Sequence, residues 1–264
     1  PGRILTKPRR TVRPVSGARV RNGRTDGNGS ENLHSDEKQM ILDYDIIVIG
    51  GGHAGCEAAS AAARLGSRTL LLTMDMTKMA SMSCNPAIGG VAKGQIVREI
   101  DALGGETGRI TDLTAVQFRM LNRSKGAAMW SPRAQCDKTR FSEEWRRTLE
   151  NTRHLYIWQD AATELLFDTS AETPRIRGVR TRMGVEFSCR AAVLTAGTFL
   201  EGMMHCGASH AEGGRAGDAA SHGITECLRR LGFETGRMKT GTPARLDART
   251  INFDALEPQY GDEN

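Results

Sequence analysis

Residues 45–66 read DIIVIGGGHAGCEAASAAARLG, and this stretch decides the fold. The apolar, β-branched run at 46–49 is typical of a strand that is buried on both faces. Three consecutive glycines end that run, and the alanine-rich segment 53–65 has strong helix propensity. Strand, glycine turn and helix form the setting in which a G-x-G-x-x-G pattern indicates a dinucleotide-binding unit.

Within this pattern, three glycines have separate expected roles. Gly50 permits the tight turn, Gly52 lets a pyrophosphate approach the backbone, and Gly55 lets the helix pack close to the strand. The helix N-terminus then faces the phosphates. A glycine turn in another type of α/β unit is the alternative, because a lone G-x-G-x-x-G is a weak signal.

Length and cysteine usage limit the class of protein. The 264 residues suffice for one large domain or two small ones. No apolar run approaches the roughly 20 residues that a membrane-spanning helix needs. Six cysteines are widely spaced and include no C-x-x-C pair, which argues against a disulfide framework or a zinc site and fits a reducing cytosol.

The net positive charge of the chain comes from its first 40 residues. The formal net charge is +5, and residues 1–40 hold nine Lys and Arg against four Asp and Glu, which accounts for all of it. Such a segment buries too little apolar surface to offset its ordering entropy, so we predict a disordered basic tail over 1–42. An organellar transit peptide, a cloning or gene-model remnant and an RNA-binding arm all remain open for this tail.

The chain after the first helix continues the α/β pattern. Residues 67–73 predict a second parallel strand, at whose end many two-dinucleotide flavoproteins carry an acidic residue for the adenosine ribose. Thr73 stands at that place here, and Asp75 or a backbone group is the candidate for this role.

A group of short strands follows later in the chain. Segments 155–160, 163–167, 175–183 and 185–189 predict a small antiparallel meander. Segment 191–195 predicts a strand that returns to the nucleotide-binding sheet, so the meander is an excursion from that sheet.

Cys84 lies in a compact turn, Cys84-Asn85-Pro86, before a helix predicted at 91–103. A free cysteine near a helix N-terminus can have a lowered pKa and act as a nucleophile. The alternative, a small buried apolar residue, is the commoner fate of cysteine.

Basic residues are dense over 119–147, with Trp130, Phe141 and Trp145 interleaved, so phosphate contacts and base stacking are both open. For the helix predicted at 137–150 a solvated face with ordinary i,i+4 pairs is favoured. The loop 124–135 has no helical face that explains its charge, and it is a candidate for ligand or RNA binding.

The last part of the chain, from residue 202 onwards, is richer in loop-forming residues. A glycine-rich loop at 212–221 precedes a helix predicted at 224–231, and the basic segment 237–250 is irregular. We expect 43–201 to belong to the dinucleotide-binding domain and 202–264 to begin an insertion or substrate domain. The spacing of the histidines with Cys206 matches no metal-ligand motif, so no metal site is expected. The chain stops without a closing strand or helix, and we expect an N-terminal fragment.

Seven motifs carry a specific resemblance to a known family. They are IIVIGGGHAGCEAA, SCNPAIGG, KGQIVREIDALGG, QFRMLNRSKGAA, VLTAGTFLEG, GGRAGD and KTGTPARLDARTI. Their order and spacing resemble the flavin-carrying tRNA uridine 5-carboxymethylaminomethyl modification enzymes (MnmG, or GidA) from about residue 44 onwards. The resemblance implies a two-dinucleotide-binding-domain flavoprotein fold of Rossmann-like type, with FAD as cofactor.

The resemblance also implies the activity and the partners. The family modifies C5 of the wobble uridine of tRNA, with methylenetetrahydrofolate as carbon donor and NADH as reductant of the flavin. Members are cytoplasmic homodimers that work with a GTPase partner subunit. A related folate- and FAD-dependent tRNA uridine methyltransferase, a generic FAD-dependent reductase and a non-catalytic flavin-binding fragment are the alternatives.

The site residues that the resemblance implies are assigned position by position. Cys84 matches a cysteine of the modification chemistry, where it either attacks uracil C6 or tunes the flavin environment. The expected flavin contacts are Gly50, Gly51, Gly52, His53, Ala54, Gly55, Ala162 and Ser221. Our own candidates for phosphate contacts to tRNA or flavin, taken from the two basic segments, are Arg123, Lys125, Arg133, Lys239 and Arg245.

Overall fold

The described residues, 42–83, 85–170 and 172–262 of a computed structural model, form strands, helices and connecting loops. The strands in these ranges are β1 (Leu42–Ile49), β2 (Thr69–Thr73), β3 (Ala87–Gly89), β4 (Ala115–Leu121), β5 (Ser131–Cys136), β6 (Leu155–Gln159), β7 (Ala162–Asp168), β8 (Arg175–Thr181), β9 (Glu186–Leu194), β10 (Met203–Cys206) and β11 (Ser209–Glu212). The α-helices are α1 (His53–Arg64), α2 (Lys93–Ala102), α3 (Thr107–Thr114), α4 (Lys138–Glu150) and α5 (Ile224–Arg230).

A six-stranded mixed sheet with the order β6-β2-β1-β9-β8-β7 forms the centre of the fold. β6, β2, β1 and β9 run parallel to one another, whereas β8 and β7 continue the sheet in antiparallel pairing. The carboxyl ends of the parallel strands therefore meet at one edge, which is where α/β sheets of this kind bind their ligands.

The two faces of the parallel strands pack against different layers. Val48 belongs to a cluster with α1 and α4, in which Phe141 and Trp145 are fully buried. Ile47, its neighbour, belongs to the opposite cluster, together with Phe187 from β9 and residues of β7 and β8. Full burial of side chains of this size contributes about 1.5–3 kcal/mol each. The parallel strands thus contribute to two cores, one shared with the helices α1 and α4 and one shared with residues of β7, β8 and β9.

The longest helix, α4, shows how the sequence sets its own start. Asp137 caps it by accepting hydrogen bonds from the Thr139 amide (2.9 Å) and the Arg140 amide (3.0 Å). Phe141, Trp145 and Leu149 recur every four residues and form its buried stripe. The helix predicted at 137–150 is confirmed, and its basic residues lie on the face away from the sheet.

Two strand predictions were wrong. The segment 155–160 was expected in the meander, but β6 pairs in parallel with β2 at the edge of the main sheet. The segments 185–189 and 191–195 were expected as two strands, but β9 runs through both. Arg190 lies between the two predicted segments, its side chain is exposed, and its Nη1 lies 3.8 Å from Asp45 Oδ1, so a charged residue interrupts the apolar pattern without ending the strand.

A second sheet was not expected from the sequence. β3, β5 and β4 form a three-stranded antiparallel sheet in the order β3-β5-β4. β5 occupies the second half of the segment 124–135, which was predicted as a loop. The neighbouring helix α3 was also missed, and α2 begins at Lys93, two residues later than predicted.

The last described part contains the hairpin β10–β11 and the short helix α5. All described residues fall in one compact unit, and the boundary at residue 201 remains a prediction. The predicted tail lies outside the described residues, except that Leu42 begins β1. In the described ranges, no helix combines the length and the apolar character needed to span a membrane.

Candidate dinucleotide site

The glycine turn joins the carboxyl end of β1 to the start of α1. Gly50 has a φ of +113°, which residues with side chains rarely adopt, and its amide donates to the Leu72 carbonyl oxygen at 2.9 Å. A Cβ on Gly50 would lie 2.5 Å from the Thr195 carbonyl oxygen, and one on Gly51 would lie 2.5 Å from the Thr73 hydroxyl oxygen. The ends of β1, β2 and β9 therefore enclose the turn together.

Gly55 is the point at which α1 contacts this turn. A Cβ on Gly55 would overlap the Gly50 carbonyl oxygen and lie 2.7 Å from the Thr195 hydroxyl oxygen. That hydroxyl lies within hydrogen-bonding distance of two carbonyl oxygens, those of Ile49 (2.9 Å) and Gly50 (3.1 Å). A hydroxyl has one proton to donate, so it serves one of them at a time.

Thr195 is thus a site residue that the sequence analysis did not select. It stands directly after β9 and before a glycine-containing turn, which is the signal that could have identified it. A side chain at the carboxyl end of a strand next to β1 lies at the ligand-binding edge of the sheet.

Gly52, in contrast, faces open space. Apart from its chain neighbours, no described heavy atom lies within 4 Å of the position that a Cβ would take. Gly52 is the N-cap residue of α1, and no side chain in the described ranges caps the first turn. Uncapped amides and the positive end of the helix dipole attract anions such as phosphate. The residues present therefore fit a pyrophosphate group where the sequence predicts one.

Burial keeps the titratable side chains at the start of α1 uncharged. It lowers the pKa of His53 below its usual range, and His53 Nε2 is buried without a hydrogen-bond partner in the described part of the chain. It also raises the pKa of the Cys56 thiol to about 12. Ala54, between them, is exposed. Near pH 7 neither His53 nor Cys56 therefore adds charge to the backbone dipole at this helix end.

The segment 75–83 lies next to the glycine turn. The Ala80 amide donates to the Gly51 carbonyl oxygen at 2.8 Å. Asp75 caps the 3-10 turn Met76–Lys78, accepting hydrogen bonds from the Thr77 hydroxyl (2.6 Å) and amide (2.8 Å). The Thr77 hydroxyl is the main cause of a lowered pKa of the Asp75 carboxyl. Asp75 is therefore anionic at neutral pH, and its role toward a ribose remains a prediction.

The two other predicted flavin contacts lie in neighbouring segments at this edge. Ala162 begins β7, two residues after Asp160, whose amide donates to the Thr73 carbonyl oxygen at 3.0 Å. Ala162 is 4% exposed, so its methyl group belongs to the core. Ser221 is two residues before Gly223, which packs closely against the backbone at the start of β7. The structure thus brings the segments of Ala162 and Ser221 together.

Cys84 lies outside the described residues, so only its neighbour can be placed. The Ser83 hydroxyl oxygen accepts a hydrogen bond from Arg215 at 3.4 Å, and the Ser83 carbonyl oxygen accepts one from Arg245 at 3.2 Å. Two guanidinium groups from the later part of the chain therefore reach the residue that precedes Cys84.

The remaining predicted phosphate contacts lie in two regions. Arg123, Lys125 and Arg133 belong to the β3-β5-β4 sheet and its β4–β5 connection, and Arg123 forms an ion pair with Asp262 at 2.7 Å. Lys239, like Arg245, lies on an exposed segment without regular secondary structure. Their role in binding tRNA or flavin remains a prediction.

The histidines after residue 202 form contacts with each other and with carboxylates. His205 and His210 face each other across β10–β11, with 2.7 Å between their Nδ1 atoms. His222 lies between Glu201 (2.6 Å) and Glu212 (2.5 Å). Among the described residues, no group of three or more His, Cys, Asp or Glu has an arrangement that could hold a metal ion.

The parallel strands, the glycine turn after β1 and the antiparallel continuation of the sheet define the class. This is an FAD-binding Rossmann-like α/β fold.

Comparisons with known proteins give the family within this class. Residues 45–264 match the family described as glucose inhibited division protein A. The tRNA uridine 5-carboxymethylaminomethyl modification enzyme MnmG of Porphyromonas gingivalis is 61% identical over 225 residues, which are 85% of this chain and 35% of that protein. The corresponding enzyme of Bacteroides thetaiotaomicron is 60% identical over 223 residues, which are 84% of this chain and 35% of that protein.

A solved structure of GidA from Aquifex aeolicus agrees with this match. It is 50% identical, with a TM-score of 0.79, over 83% of this chain and 36% of that chain. The chain belongs to the glucose inhibited division protein A family. It spans about a third of the length of the curated relatives that it matches.

Proposed function

We propose that this chain carries the flavin site of an enzyme that modifies C5 of the wobble uridine of tRNA. The observation that carries the proposal is the uncapped start of α1, with open space at Gly52, in a chain of this family. The relatives named as tRNA uridine modification enzymes support the substrate class.

In this proposal the glycine turn binds the pyrophosphate of FAD. The amides from Gly52 to Gly55 face the phosphates, Ala162 contributes its backbone, and Ser221 closes the site from the neighbouring segment. FAD supplies the redox chemistry when it is bound. The chain itself binds and orients the cofactor, and its neutral His53 and Cys56 leave the helix dipole unopposed at the phosphates.

The co-substrates and partners follow from the resemblance described above. Methylenetetrahydrofolate is the proposed carbon donor and NADH the proposed reductant. The proposed assembly is a cytoplasmic homodimer with a GTPase partner subunit. Arg123, Lys125, Arg133, Lys239 and Arg245 are the proposed phosphate contacts.

Nucleoside analysis tests the activity. In cells that lack the gene for this protein, tRNA should lose its C5-aminomethyl-type wobble uridines, and a plasmid copy of the intact gene should restore them. Unchanged wobble uridines, or loss of a 5-methyluridine elsewhere in the tRNA, would contradict the proposal. The second outcome would support the related folate- and FAD-dependent methyltransferase.

Colour tests the cofactor. The purified product of the intact gene, mixed with FAD and passed through a desalting column, should stay yellow, with flavin absorbance in proportion to protein. A colourless protein would contradict the flavin site.

A non-catalytic flavin-binding role is the second candidate for the chain by itself. It is supported by length, because the chain spans about a third of its curated relatives. A yellow chain that restores no modified uridine in the deletion strain would favour this role.

A further inference from the structure

An ion network joins two segments that are 140 residues apart. Asp218, in the GGRAGD loop, accepts a hydrogen bond from Lys78 through Oδ1 and another from Arg215 Nε through Oδ2, the second at 2.6 Å. Lys78 Nζ also lies 3.4 Å from Asp75. Both oxygens of one carboxylate are therefore used, each by a different cation.

Each of the two joined segments adjoins a part of the candidate site. Lys78 belongs to the segment 75–83, which contacts the turn through the bond from Ala80 to Gly51. Asp218 belongs to the loop that leads to Ser221. The ion network therefore links these two parts of the candidate site through side chains.

Arg215 extends the link beyond Asp218. Its guanidinium group lies over the Phe199 ring, with 6.0 Å from Cζ to the ring centroid, and it reaches the Ser83 hydroxyl at 3.4 Å. The loop itself is held by the Asp218 amide, which donates to the Arg215 carbonyl oxygen at 2.9 Å. The backbone of the loop thus holds Asp218 in place, its side chain contacts Lys78, and Arg215 carries the link on to Ser83.

Burial separates this network from ordinary surface ion pairs. The Asp218 side chain is 10% exposed, whereas the Lys78 side chain is 41% exposed. Burial acts to raise the pKa of the Asp218 carboxyl, but the hydrogen bonds from Lys78 and Arg215 outweigh it, and the pKa lies below its usual range. A charged carboxylate in this position depends on both of its partners, so removal of either one leaves it poorly compensated.

We infer that Asp218 is a positioning residue of the flavin site, which holds the segment 75–83 against the GGRAGD loop and so slows the release of FAD. This inference rests on the proposed function. Among the described residues, the ion network of Lys78, Arg215 and Asp218 links the segment 75–83 to the GGRAGD loop by charge.

Four single substitutions, each made in the product of the intact gene, test this role. Asp218→Asn keeps the side-chain volume but removes the charge, and Lys78→Gln removes the charge of its partner. Lys78→Arg keeps the charge and can still donate to Asp218. Asp247→Asn is the matched control, because the ion pair of Asp247 in the described part of the chain is a local one, with Arg249 two residues away.

Two measurements are made on each variant. The first is the rate of FAD release after dilution, followed by flavin fluorescence, with the visible circular dichroism of bound FAD as a signature of its surroundings. The second is hydrogen exchange of the amides at 76–83 in the chain without FAD, which reports the position of this segment independently of the cofactor.

We expect Asp218→Asn and Lys78→Gln to release FAD about 3- to 10-fold faster, since the pair is partly exposed. Both should increase exchange at 76–83, and their double variant should be no worse than either one. Lys78→Arg and Asp247→Asn should match the unsubstituted chain. Unchanged FAD release in Asp218→Asn would overturn the inference, even if exchange increases. An unsubstituted chain that binds no FAD would instead overturn the proposed flavin site.

Discussion

At the scale of single residues, the glycines of the turn have opposite surroundings. Gly55 has no room for a methyl group, because the Gly50 carbonyl and the Thr195 hydroxyl occupy that space. Gly52 has room, since nothing but its chain neighbours lies within 4 Å. Gly55 is therefore required by the packing of the fold, and Gly52 is expected to leave room for the ligand. Substitution with alanine separates these roles.

Gly55→Ala should destabilise the chain by about 1–3 kcal/mol or more, as overpacked positions do. Gly52→Ala should change the free energy of unfolding by less than about 1 kcal/mol. The reason is that the loss of a favoured N-cap glycine and the reduced entropy of the unfolded chain act in opposite directions. Its FAD affinity should nevertheless fall at least about tenfold, because the methyl group occupies the place of the pyrophosphate. Urea unfolding and FAD titration measure the two effects. Full FAD affinity in Gly52→Ala would show that the phosphates bind elsewhere.

Cys84 is the residue to which the resemblance gives a chemical role. Cys84→Ser, introduced into the gene in its native setting, should abolish C5-modified wobble uridine while FAD binding is retained. Cys206→Ser, at an exposed cysteine, is the matched control and should have no effect. Normal levels of modified uridine in Cys84→Ser would exclude both the nucleophilic role and a role in tuning the flavin.

At the scale of secondary-structure elements, His222 connects the hairpin β10–β11 to the loop before α5. Glu201 binds its Nδ1 and is the main cause of a raised pKa, and Glu212 at the end of β11 binds its Nε2. A raised pKa means that the folded chain binds this proton more tightly than the unfolded chain does. The stabilisation is complete below the ordinary histidine pKa and is lost as pH rises through the folded value.

His222→Gln should therefore destabilise the chain more at pH 5.5 than at pH 8.5. The difference should stay below about 1 kcal/mol, because the His222 side chain is 54% exposed and its ion pairs are screened by water. Thermal unfolding at both pH values measures it, and Glu201→Gln, which removes the main partner, should show the same trend. Equal destabilisation at both pH values would contradict this connection.

Elements also show what the sequence could and could not predict. The first strand, turn and helix were predictable, because the apolar run, the glycines and the alanines all act locally. The position of β6 was not, since a run such as LYIWQ suits a parallel or an antiparallel neighbour equally well. β3 has three residues and β5 begins with Ser131-Pro132, so neither shows an alternating pattern that would predict a sheet.

The candidate site likewise contains residues that local sequence predicts and residues that it does not. Gly50 to Gly55 were predictable from spacing, whereas Thr195 reaches them across 145 residues through the pairing of β1 with β9. The contact between Lys78 and Asp218 likewise depends on how two loops meet in three dimensions. Such partners are visible only once the strand order is known.

At the scale of the whole molecule, the proposed tRNA contacts differ in whether their positive charge is already held in an ion pair. Lys125 and Lys239 are exposed, whereas Arg123 is paired with Asp262. A cation that is free to contact phosphate releases a counterion when it binds, and this makes affinity depend on salt.

Lys125→Gln and Lys239→Gln should each weaken tRNA binding and lower the slope of log K against log salt by about 0.7–0.9. Lys138→Gln, at an exposed lysine on α4 outside the candidate set, should leave the slope unchanged. Filter binding of tRNA between about 50 and 200 mM salt measures the slopes. An unchanged slope in both candidate variants would remove these lysines from the tRNA contacts.

The hydrogen bonds from Thr195 to the Ile49 carbonyl oxygen also have a consequence for synthesis of the protein. The two residues are 146 positions apart. At about 5–20 residues per second, a ribosome needs about 7–30 s to travel from one to the other. During that time the nascent chain has its glycine fingerprint but lacks the strand that encloses it. The glycine turn is therefore enclosed only after β9 has been synthesised. A chaperone or a pause in translation before residue 195 would act on a chain in which the proposed nucleotide site is still incomplete.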